Sequence, residues 1–93
     1  MFSDSLIDGE RLIALGCRVG DQEEYEYWRL RRLRWTTDVV EALKAASDDD
    51  AAARNFERAT SVPPSVGSWA EDLGFELERV QEGIKVLEMI DSP

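Results

Sequence analysis

Histidine is absent from this 93-residue chain, and cysteine occurs once. Without histidine there is neither the commonest general base nor the commonest metal-binding ring. A lone Cys17 builds no disulfide framework and has no histidine to activate it as a nucleophile. Its expected place is as a small core residue. No glycine-rich phosphate loop occurs, and no apolar run approaches the ~20 residues of a membrane-spanning helix. The opening MFSDSLIDGERLIALG carries acids where a secretory leader carries bases, so a cytoplasmic protein with no membrane contact is the default. No enzyme activity, cofactor or metal is expected from this inventory.

Positive charge is also scarce, with 11 Lys and Arg against 20 Asp and Glu, a net charge of −9. Such a balance opposes non-specific attraction to nucleic acid and to anionic membranes. The imbalance is uneven, since residues 1–47 hold 7 bases and 9 acids whereas residues 48–93 hold 4 and 11. Nine of the bases are arginine and two lysine, among many Ala, Val and Asp, which points to a GC-rich coding source such as some bacteria and their phages. Ninety-three residues suit one domain, residues 1–93, able to bury about two-thirds of its unfolded surface.

Helical patterns dominate what is present. A first helix is expected over about Ser5 to Leu15, with Leu6, Ile13 and Cys17 on one face, Gly16 as C-cap and Gly9 as a weak point. Asp21 suits the cap of a second, with Glu23 and Glu24 in the first turn, where the helix dipole favours acids. That helix is read as running from Gln22 to Ala46. Tyr25, Trp28, Leu33, Trp35, Val39, Val40 and Leu43 span an arc of roughly 160° on its wheel. Arg29 and Arg32 fall inside that arc, and neither can enter a dry core unpaired. Snorkelling, or pairing with acids from elsewhere, reconciles them with a continuous helix; the alternative is a break near Thr36 and Thr37, with Asp38 and Glu41 as a capping pair. These helices make up an N-terminal part, residues 5–47.

Residues 48–93 read as three further helices. The first runs from Asp48 to Ala59, opened by Ser47 and the acidic turn Asp48, Asp49, Asp50. Three adjacent aspartates do not make a calcium loop, which alternates its ligands and turns at a glycine. Pro63 and Pro64 then stop the chain in a linker or a rigid bend. Beyond them Ala70, Gly74 and Val80 have the small, glycine, branched spacing of two crossing helices joined by a tight turn. Leu73 and Phe75 bracket the glycine, Ile84 and Leu87 continue the inner stripe, and Ser65 or Ser68 suits the cap. Over residues 65–90 the chain resembles the helix-turn-helix and winged-helix-like regulators of bacteria, without room for a wing. The resemblance implies DNA contacts by Arg79, Gln81 and Lys85 on the second helix. That helix departs from the family in its charge, with Glu76, Glu78, Glu82, Glu88 and Asp91 against Arg79 and Lys85. Carboxylates there repel the phosphate backbone. Leu73, Leu77, Val80, Ile84 and Leu87 recur as a seam for the molecule's own core or, alternatively, for a homodimer.

The expected fold is therefore an all-α domain of four to five helices with a helix-turn-helix-like C-terminal half. The strongest basic patch is YEYWRLRRLRW, residues 25–35, whose arginines and aromatics are residue types enriched in binding hot spots. Tyr27, Arg29, Arg31, Arg32, Arg34 and Trp35 are the expected partner-binding residues, with Tyr27, Arg31 and Arg34 opposite the core arc. Neutralisation of Glu23, Glu24, Glu26 and the acidic C-terminal half within one molecule is the competing account. The leading function is a small acidic adaptor or regulator acting through protein-protein contacts, of a kind that a phage directs at a host protein. A DNA-binding transcriptional regulator is the alternative, and an acidic mimic of nucleic acid the third.

Overall fold

Four helices form among the described residues of the computed structural model, which are 2–46, 48–65 and 67–91. They are α1 (Ser3–Gly16), α2 (Gln22–Ala46), α3 (Ala51–Thr60) and α4 (Trp69–Asp91). No strand occurs among those residues, and no helix is long and apolar enough to cross a membrane. Two helix starts are fixed by their caps. The Asp21 carboxylate accepts the Glu24 backbone N–H at 2.8 Å, and the Ser68 hydroxyl oxygen accepts that of Glu71 at 3.2 Å.

The α1–α2 pair is held by a motif that repeats every seven residues on both helices. Trp28 donates its indole N–H to the Leu12 carbonyl at 2.7 Å, and Trp35 donates to the Ser5 carbonyl at 2.8 Å. The later tryptophan meets the earlier carbonyl, so the helices are antiparallel, as a short connector favours. Each accepting carbonyl stands four residues before a glycine, Gly9 after Ser5 and Gly16 after Leu12. A Cβ on Gly9 would lie 2.8 Å from the Trp35 ring, and one on Gly16 would lie 3.2 Å from the Trp28 ring. The glycines are therefore notches that admit the indoles to the helix backbone. This explains Gly9, a weak point for an isolated helix, as a requirement of packing.

On its other side α1 meets α4, while α3 bridges α2 and α4; α1 and α3 stay apart. Phe56 of α3 and Leu87 of α4 are fully buried, and Trp35 meets Phe56 edge-on with ring centroids 5.4 Å apart. Gly83 gives the room, since a Cβ there would lie 2.7 Å from Thr60 and 3.0 Å from Phe56. Leu73, Val80, Ile84 and Leu87 are buried in this one cluster, so most of the α4 seam is occupied within the molecule.

Several expectations are corrected. Gly74 ends no helix, because α4 runs through it with open space beside the glycine; Ala70 is exposed and stands at no crossing. Residues 48–91 accordingly hold two helices where three were expected. Burial of Leu73, Glu76 and Val80 in consecutive turns outweighs the ~1 kcal/mol that a mid-helix glycine costs. Asp48, Asp49 and Asp50 precede α3 instead of forming its first turn, and the Asp49 carboxylate accepts the Ala51 N–H at 2.9 Å. Ser47, expected to open that helix, lies outside the described residues. Cys17 follows the last turn of α1 and is exposed. Gly16 does not act as a C-cap but is the last residue of α1.

Candidate functional site

The continuous α2 divides the arginine and aromatic segment between two environments. Thr36 and Thr37 donate their hydroxyls back to the Arg32 and Leu33 carbonyls, so no break forms there. On the inner side Arg32 is only 5 % exposed, and its Nε donates to the Glu76 carboxylate at 2.7 Å. Glu76, expected on an outer face of α4, is 1 % exposed. Its other oxygen accepts the Tyr25 hydroxyl, and Arg29 reaches in from the surface to 3.7 Å. The acid that compensates the α2 arginines is thus 44 residues further along the chain. Trp35 is buried as well, so it and Arg32 belong to the core.

Burial, and then the bond to Glu76, hold the Tyr25 hydroxyl protonated well above the ordinary tyrosine range. Below pH ~10 the tyrosine is protonated both folded and unfolded, and its contribution to stability is fully present. Above that pH the unfolded chain releases a proton that the folded chain keeps, so stability falls by about 1.4 kcal/mol per pH unit. Urea midpoints measured from about pH 9 to 11 should fall more steeply for the natural chain than for Tyr25→Phe. Parallel curves would disprove this coupling.

The outer side of α2 is a different surface. Tyr27 is 69 % exposed and Leu30 65 % exposed, with Arg31 and Arg34 exposed beside them. Between this side and α1 lies a trough made of two cavities of about 300 and 480 Å³ that share Leu15 and Arg31. At its base lie the nearly buried Leu12, Trp28, Trp35 and Val39, the accessible apolar lining is Leu15 and Val19, and Arg11 and Arg18 of the α1 side complete a basic margin. Arg11 leans on Asp8 at 3.8 Å. Among the described residues no carboxylate lies within 4 Å of the Arg18, Arg31 or Arg34 guanidinium. Glu24, at the mouth of the trough, is engaged by the Gly20 N–H at 3.0 Å.

The alternative DNA-contacting residues do not assemble. Gln81 and Lys85 share a face of α4, but Arg79 lies about 160° round the helix from Gln81. Lys85 also holds Glu82 at 3.2 Å. Sequence reasoning missed the trough because Leu12 and Leu15 of α1, which line it, are distant in the chain from the arginines. Comparison with family models, curated proteins and solved structures finds no match to this chain.

Proposed function

We propose that this protein is a small non-enzymatic adaptor that works through protein-protein contact along the outer side of α2 and the α1–α2 trough. The observation that carries this reading is the uncompensated cluster Arg18, Arg31 and Arg34 beside exposed Tyr27, in a chain with nearly twice as many acids as bases. Lys44, Arg58 and Arg79 also have no carboxylate within 4 Å among the described residues, and what sets Arg18, Arg31 and Arg34 apart is that they line adjoining cavities. Planar guanidiniums beside the exposed Tyr27, Leu30 and Leu15 offer fixed donors together with area to desolvate.

Affinity capture from a cell lysate, with and without nuclease treatment, tests the reading. Captured proteins should survive nuclease, and Arg31→Glu/Arg34→Glu should deplete them at least tenfold. Capture that nuclease abolishes would instead favour the DNA-binding reading. Tyr27→Ala should weaken the same capture without lowering the melting temperature, since its ring is mostly in solvent.

A further inference from the structure

We infer that the partner presents an acidic amphipathic helix that lies along the α1–α2 trough, an inference that rests on the adaptor reading and narrows it to one ligand chemistry. The α2 margin is a helical stripe, and the α1 margin is one that the turn residue Arg18 extends. Followed away from the connector, the α1 margin reads Arg18, Leu15, Arg11, Asp8, and the α2 margin reads Glu24, Tyr27, Arg31, Arg34, Asp38. Each ends in an aspartate, and Glu24, which opens the α2 margin, is held by the Gly20 N–H, so that three acid-free positions precede the aspartate on either margin. From Tyr27 to Asp38 is about 16 Å at 1.5 Å per residue, three turns of a docked helix.

Two antiparallel helices with an apolar valley between them take a third helix as ridges enter grooves, with anchors at i, i+3, i+4 and i+7. The α1–α2 pair exposes no sheet edge, so an extended segment would find no backbone partners here. The basic margins select carboxylates on either side of the ligand's apolar stripe. The aspartates at the far end favour a ligand whose acids are gathered toward one end and whose opposite end is neutral or basic. A second copy of this chain is a poorer occupant, because the apolar seam of α4, its most acidic helix, is already largely buried in its own core.

The floor contains Trp28 and Trp35, so fluorescence of the full-length protein reports occupancy. The probe is a tryptophan-free helical peptide of about four turns, with an apolar stripe, glutamates flanking it over one half and a lysine at the other end. Saturable fluorescence change is expected. Binding should be at least tenfold weaker for a scrambled peptide of the same composition and for one with lysine in place of each glutamate. Arg31→Glu/Arg34→Glu and, separately, Leu15→Asp should each lower affinity at least tenfold while helical circular dichroism is kept. Equal binding of the scrambled peptide, or no binding of the designed one, overturns the inference. So does tighter binding of a DNA duplex, or a dimer that the arginine reversals dissolve. If the peptide fails while lysate capture still depends on Arg31 and Arg34, the adaptor reading stands and the helix falls; if that dependence is also absent, both fall.

Discussion

Glu76→Ala is expected to lower unfolding stability by about 3–5 kcal/mol, a large part of the about 5–15 kcal/mol that keeps a small domain folded. The cost arises chiefly from what remains. Arg32 has its guanidinium almost wholly inside the protein with Glu76 as its carboxylate, and truncation strands that charge together with the Tyr25 hydroxyl. A buried charge without a partner costs far more than a buried pair contributes, because desolvation consumes most of the Coulomb gain. Replacing both ends, as Arg32→Met/Glu76→Leu, should therefore recover most of the loss. Chemical denaturation of the two single variants and the double variant measures this coupling. Additive losses would show that the cluster is not a unit.

Gly9→Ala and Gly74→Ala should change stability in opposite directions although both replace a helical glycine. Alanine gains about 1 kcal/mol over glycine within a helix, and at Gly74 nothing stands within 4 Å to oppose it. Gly74→Ala is accordingly expected to raise the melting temperature by roughly 4–8 °C. At Gly9 the added carbon would lie 2.8 Å from the Trp35 ring and 3.0 Å from Ile84. A flat ring hydrogen-bonded to Ser5 and packed on Phe56 cannot yield as a flexible side chain does. Overpacking of this kind costs about 1–3 kcal/mol, and a displaced indole N–H also loses its acceptor. Thermal melts of both variants decide the matter. A stabilising Gly9→Ala would mean that Trp35 has an alternative seat.

The fold was legible in the sequence wherever one helix could be read alone. The length of α2, the Asp21 and Ser68 caps and the apolar seam of α4 follow from local periodicity and capping chemistry. Features requiring two helices at once were not. Leu73, Glu76, Val80, Gly83 and Leu87 step by three and four residues, so a wheel places Glu76 on the apolar stripe. Its role becomes clear only when Arg32 is set opposite. The spacing Ala70, Gly74, Val80 is satisfied as well by an unbroken helix as by two crossing ones, and glycine alone cannot choose between them. Of the partner-binding set, Tyr27, Arg31 and Arg34 were correctly placed outward, whereas Arg32 and Trp35 were drawn inward by partners far along the chain.

The paired tryptophans and glycines also fix register. Antiparallel helices that repeat every seven residues can slide by one repeat and present the same kind of surface again. A single indole and notch would tolerate that slide. With two of each, a slip of seven residues leaves one indole without its carbonyl and one notch empty, a penalty of about 1–3 kcal/mol for the unsatisfied N–H alone. The alignment of the first two helices is thus written into their own faces and does not depend on the connector. Within the connector Arg18 keeps its place on the margin of the trough and Asp21 its cap, while the exposed Cys17 is free to change without shifting the trough.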